Sequence, residues 1–154
     1  MFRLGEHMRP TIWLCLFLAL GCSDKSEDSG HSDHDHDHGD DGLPDDFDPS
    51  TEVQTNQGSY TVSYTTDPSP IPESELFSVT YTISEGTLVG ADATMPTHGG
   101  HGMTVEPEIT LNDDGTYTAT PFEFHMPGYW VIHGTIQGED GTMERADFDV
   151  ECCD

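Results

Sequence analysis

Basic residues are scarce. The chain holds 4 Lys and Arg against 30 Asp and Glu in 154 residues, a formal net charge of −26 with histidine neutral. That balance argues against a nucleic-acid partner, because phosphate binding relies on Lys and Arg displacing counterions. It argues equally against docking on anionic lipid through a basic patch. It favours solubility and an attraction for cations, and a plainly acidic, well-solvated chain accounts for it as well. The four cysteines include no Cys-x-x-Cys, which disfavours a thiolate zinc knuckle. Enzyme signatures are also missing. There is no Gly-x-Ser-x-Gly turn, no His-Glu-x-x-His and no plausible Cys/His pair, and the acidic pairs fall where no periodicity aims them into a cleft. The chain is therefore read as a non-enzyme.

What is present divides the chain into three parts: 1–21, 22–50 and 51–154. Arg3 and Arg9 precede an apolar run from Ile12 to Leu20, too short to span a bilayer comfortably but suited to the centre of a signal peptide. The run ends in Leu18-Ala19-Leu20-Gly21-Cys22, which resembles the lipobox of bacterial lipoproteins, with polar Ser23-Asp24-Lys25-Ser26 after it. In that family the peptide is cut before the cysteine and the thiol is acylated, which implies Cys22 as the lipid-bearing first residue of a protein held on a membrane in the bacterial envelope. Ser23 after the cysteine resembles the outer-membrane sorting pattern. Cleavage removes Cys15, and only Cys152 and Cys153 remain, adjacent to one another. They could bind a soft metal, bridge to another chain or be oxidised together, although a disulfide between neighbours is uncommon.

Residues 22–50 have almost no apolar side chains, so they cannot offset their ordering entropy and are expected to be a disordered tether. A random coil of that length reaches roughly 30 Å. His31, His34, His36 and His38 alternate there with Asp33, Asp35 and Asp37. Imidazole and carboxylate together suit zinc, copper or nickel, so the tract reads either as a loose metal collector or as a solvated spacer.

From Thr51 onward Thr, Val, Tyr and Ile alternate with period two between Gly, Pro, Asn and Asp punctuation, and no helical period is visible. Strands are predicted over Ser59–Thr66, Leu76–Ser84, Thr87–Thr94, Thr104–Leu111, Thr116–Phe124, Tyr129–Gln137 and Thr142–Glu151. Phe77, Val79, Tyr81 and Ile83 share one face; so do Val105, Ile109 and Leu111; Trp130, Ile132 and Ile136; and Ala146, Phe148 and Val150. Asp147, Asp149 and Glu151 then face water, and His133, alternating away from Trp130 and Ile132, reads as a surface residue. One apolar face per strand demands a partner sheet. The fold expected is all-β, a small immunoglobulin-like sandwich of about seven strands. Asn112-Asp113-Asp114-Gly115 is a turn, and Asp113-x-Gly115-x-Tyr117 fits either a tyrosine corner or a plain hairpin followed by a core tyrosine.

The unusual segment is Met95-Pro96-Thr97-His98-Gly99-Gly100-His101-Gly102-Met103, echoed by His125-Met126-Pro127-Gly128-Tyr129-Trp130. Together with Gly115-x-Tyr117 and Phe124-x-Met126-x-Gly128-x-Trp130, this pairing resembles the YtkA-like domain family, related in pattern to FixH proteins. The resemblance covers roughly residues 55–150. It implies a small β-sandwich in the bacterial envelope, and FixH-like relatives are linked to copper supply for cytochrome oxidase assembly. The chain departs from those relatives in lacking a retained transmembrane helix before the domain, so that role does not carry over whole. The two loops are also loosely similar to those of periplasmic copper chaperones of PCuAC type, without their spacing.

The chemistry can be weighed separately. Thioether sulfur is soft and pairs with Cu(I), and imidazole accepts both copper states. The glycines around His98 and His101 allow backbone angles that let both rings converge. If the two Met-Pro loops lie at one end of the sandwich, Met95, His98, His101, Met103, His125 and Met126 form one copper site of a chaperone or buffer. The competing reading is an interaction module for another envelope protein, its methionines simply filling gaps at strand ends.

Overall fold

The computed structural model describes residues 42–153, and these form an all-β domain. The signal segment, Cys22, and His31, His34, His36 and His38 lie outside the described residues. Nine strands follow one another: β1 (Glu52–Gln54), β2 (Thr61–Asp67), β3 (Leu76–Ile83), β4 (Thr87–Met95), β5 (His101–Gly102), β6 (Glu108–Leu111), β7 (Tyr117–Glu123), β8 (Gly128–Gln137) and β9 (Met143–Cys152), with a single 3₁₀ turn at Pro96–His98. They pair antiparallel into a five-stranded sheet ordered β1-β2-β3-β7-β6 and a four-stranded sheet ordered β5-β4-β8-β9.

Alternation explains the packing. Phe77, Val79 and Tyr81 of β3, Trp130, Ile132 and Ile136 of β8, and Ala146, Phe148 and Val150 of β9 all point between the sheets and are buried. Phe124 stacks on Trp130 with centroids 4.4 Å apart and an interplanar angle of 6°, while Phe77 meets Phe124 edge-on at 5.0 Å. Such pairs add specific geometry to area burial. Pro121 lies inside β7, where it has no N–H to give the ladder, and the β3–β7 register shifts between Phe77 and Val79 at that level.

Several sequence expectations change. The described residues hold nine strands rather than about seven, because β1 and β5 are too short to show alternation. The expected strand Thr104–Leu111 contracts to Glu108–Leu111, since Pro107 interrupts the ladder, so Val105 is outside it. Leu111, expected inside, is 62 % exposed at the end of an edge strand beside the Asn112 turn. That turn joins β6 to β7 within one sheet, with Leu111 paired to Tyr117, so it is a plain hairpin. Residues 42–50, expected to belong to the tether, dock on the outer face of the four-stranded sheet. Phe47 meets Tyr129 edge-on at 6.0 Å, and the Asp48 N–H donates to Asp149 Oδ2 at 3.1 Å. Phe47 supplies the aromatic contact of this docking in a largely polar stretch.

His133 is the clearest correction. It does point away from Trp130 and Ile132, yet it is only 8 % exposed. It sits on the central strand β8 directly between Asp92 of β4 and Asp147 of β9, and the side chains of the flanking strands enclose it.

Candidate metal centre

The two Met-Pro loops leave the same end of the same sheet. β4 runs antiparallel to β8 with Thr94 opposite Val131, so continuing the register sets Met95 opposite Trp130. The end of β4 and the start of β8 therefore lie side by side. Beyond Met95 the chain makes the 3₁₀ turn Pro96–His98, then Gly99 and Gly100 at φ of +70° and +74°, and returns as β5 with His101 opposite Met95. Those left-handed angles close the loop tightly, and the Gly100 N–H donates to the Met95 carbonyl at 3.1 Å. Directly opposed residues on antiparallel strands share a face. His101, Met95 and Trp130 thus lie in a row on the core-facing side of the sheet, His101 at its exposed edge.

Each expected donor has a definite place. Met95 is fully buried in the core. Its Cε would lie 3.5 Å from a Cβ on Gly128, so the thioether's end packs beside the start of β8. Met103 and Met126 are half-buried against the core. The Met126 carbonyl accepts the Trp130 indole N–H at 2.9 Å, which ties the second loop to β8. The His125 ring meets Trp130 edge-on at 5.5 Å, and its Nδ1 is buried without a hydrogen-bond partner. A buried polar atom left without a partner is costly, and a bound cation is one way to satisfy it. His98 is half-buried, its Nδ1 3.3 Å from Thr97 Oγ1, and His101 is exposed. Among the described residues no three His, Cys, Asp or Glu side chains gather as a metal-ligand group. Thioethers with one or two imidazoles suit Cu(I) better than harder ions.

The outer face of the same sheet carries a polar row that the sequence reading missed. His133 Nδ1 is 2.6 Å from Asp147 Oδ1, and His133 Nε2 is 2.9 Å from Thr94 Oγ1. Arg145 Nε lies 2.7 Å from the same Asp147 oxygen. Burial pushes the Asp147 carboxyl up, but hydrogen bonds from His133 and Arg145 outweigh it and hold the group below its ordinary value. Tyr129 donates to Asp149 at 2.7 Å; burial first, and that bond second, push its phenol up. Asp92, Thr94, His133 and Asp147 border a shallow groove of about 420 Å³. The signal was countable. Stepping outward from the Gly138–Thr142 turn pairs His133 with Asp147, and further on Gly128 with Cys152.

No family model matches the chain, and no curated protein or solved structure is significantly similar to it.

Proposed function

We propose that this protein is a lipid-anchored envelope protein whose β-sandwich binds copper, as Cu(I), through Met95, Met126 and His125, with His101, His98 and Met103 around them, and acts as a copper buffer or chaperone. The observation that carries the reading is the arrival of both Met-Pro loops at one end of the four-stranded sheet, where a buried thioether and a buried, unpartnered His125 nitrogen are both neighbours of Trp130. The copper reading also draws on the resemblance to the YtkA-like family and on the softness of the donors.

The test is an anaerobic Cu(I) titration of the full chain against a chromogenic chelator. Expected are one tight ion per domain and a loss of at least about tenfold in affinity for each of His125→Ala and Met126→Ala. Affinity unchanged in both variants removes the site. The complete burial of Met95 favours a second reading, an interaction module in which the loop methionines only pack. In that case the titration finds no tight site, and Met95→Ala acts on stability alone.

A further inference from the structure

Resting on the copper reading above, we propose that Cys152 and Cys153 are a thiol–disulfide switch on the same centre: as thiols they add sulfur ligands for Cu(I), and as a disulfide they withdraw them.

The placement carries this. Cys152 ends β9 and pairs directly with Gly128, the first residue of β8, which follows His125-Met126-Pro127 without a gap. Cys152 is 3 % exposed and belongs to the same core cluster as Met95. Gly128 has no side chain, and Met95 Cε occupies the approach to it from β4 while Cys152 faces it from β9. Directly opposed Cβ positions lie about 4.5–5.5 Å apart, so the two sulfur-bearing residues flank one glycine. The end of the sheet that gathers the methionines and His125 therefore also gathers the two cysteines.

The two sulfurs are placed against each other in this structure, so the pair is positioned to close as a disulfide. Its two sulfurs differ in access. Cys152 is buried, whereas Cys153 is half-buried and lines an open groove of about 650 Å³ beside Glu151, Tyr64 and Ile71. An external dithiol is the co-reactant the switch needs. One of its thiolates attacks Cys153 Sγ; the Cys152–Cys153 bond breaks, its electron pair leaves on Cys152 Sγ, and a mixed disulfide forms on Cys153. The reductant's second thiolate then attacks its own partner sulfur and releases Cys153. Two electrons and two protons pass to the pair, and the external dithiol ends as a disulfide. Attack in this direction frees Cys152 Sγ on the core-facing side of the sheet, which Met95 shares. A thiolate in apolar surroundings is unfavourable without a cation, so Cu(I) and the reduced pair stabilise each other. Copper stays in the +1 state throughout.

The experiment uses the full chain, either oxidised or reduced with a phosphine that is then removed, titrated anaerobically with Cu(I) against a chromogenic chelator. The reduced form is expected to bind at least about tenfold more tightly, since thiolate is the softer and charged ligand. In Cys153→Ser, a near-isosteric change at a half-exposed position, no internal disulfide can form and Cys152 stays a free thiol, so phosphine treatment has no effect and affinity stays above that of the oxidised wild type. X-ray absorption at the copper edge is expected to show more sulfur around the ion in the reduced form. Equal affinities of the two wild-type forms, with His125→Ala still weakening both, would overturn the switch and leave the copper site standing. Tight binding by the reduced form that ignores His125→Ala and Met126→Ala would show the cysteines acting alone and overturn the shared centre. Failure of both forms to bind removes the copper reading itself, and this inference with it.

Discussion

Gly134 shows how a single hydrogen in place of a methyl group shapes the core. It lies on β8, and a Cβ there would come within 3.2 Å of Tyr81 Cε1 and 3.4 Å of Leu88 Cδ1. Neither neighbour has room to withdraw. Tyr81 is fully buried, its hydroxyl donates to the His133 carbonyl at 3.1 Å, and Leu88 is packed in the same cluster. Burial also pushes the Tyr81 phenol well up, so the ring stays a neutral hydrogen-bond donor. Gly134→Ala is therefore expected to overpack the core and cost about 1–3 kcal/mol, in spite of the gain in strand propensity. Urea unfolding followed by Trp fluorescence checks it: the midpoint falls while the slope is unchanged. A neutral or stabilising result would mean that Tyr81 has freedom to move, against its hydrogen bond and its burial.

At the scale of the elements, β9 fastens the two sheets together. The Glu144 carboxylate, 4 % exposed as a residue, accepts from Thr55 Oγ1 at 2.5 Å and from the Ser59 N–H at 3.3 Å, both in the β1–β2 connection. The Arg145 N–H donates to Asn56 Oδ1, and the Arg145 carbonyl accepts the Asn56 N–H. The hydrogen bonds from Ser59 and Thr55 hold the Glu144 carboxyl below its ordinary value, as those from His133 and Arg145 do for Asp147. A depressed carboxyl pKa means that the unfolded chain binds the proton first. The stability contributed is then complete above the unfolded values, about 4.3 for Glu and 3.9 for Asp, and is lost as pH falls through the folded ones. Protonation also relieves the repulsion of a chain carrying −26, so the wild type's own pH profile mixes two opposite effects. The difference between wild type and Glu144→Gln separates them. The variant is expected to be less stable at neutral pH, and the gap to close below about pH 4. A gap that persists in acid would mean that the Gln side chain fails for steric reasons. Asp147→Asn should follow the same course, with a loss of about 1 kcal/mol at neutral pH.

The same strands show what could be read from the residues. Period-two alternation located six of the seven longer strands to within about two residues, because each presents one face to the core, and overran the start of Glu108–Leu111, which has no fully buried residue. It placed Phe148 and Val150 inside and Asp147 and Glu151 outside correctly. It could not locate Glu52–Gln54 or His101–Gly102, which form only because longer strands lie beside them. It also named the face of His133 correctly but not its burial, since cover comes from neighbouring strands and alternation describes one strand at a time. The convergence of the Met-Pro loops was legible only as a condition, because it depends on β4 pairing with β8 across residues 96–127.

At the scale of the whole molecule, the sign of the charge decides how the protein is expected to meet a membrane. With 30 acidic residues and 4 basic ones, it is repelled by anionic lipid, so surface adhesion has no electrostatic source. Among the described residues no helix is long and apolar enough to cross a bilayer. Under the lipoprotein reading the whole attachment rests on acyl chains at Cys22, and stable anchoring by acyl chains requires more than one. Two washes of membranes from cells expressing the full chain distinguish the sources. High salt, which screens surface charge within about 3 Å at 1 M, is expected to leave the wild type in place, and detergent to release it. Cys22→Ser should appear almost entirely in the soluble fraction, with its domain still folded, because residue 22 precedes every strand of the described residues. Release of the wild type by salt alone would point to a divalent cation bridging acidic side chains to lipid headgroups. The attachment would then be ionic and the acylation of Cys22 would have no support.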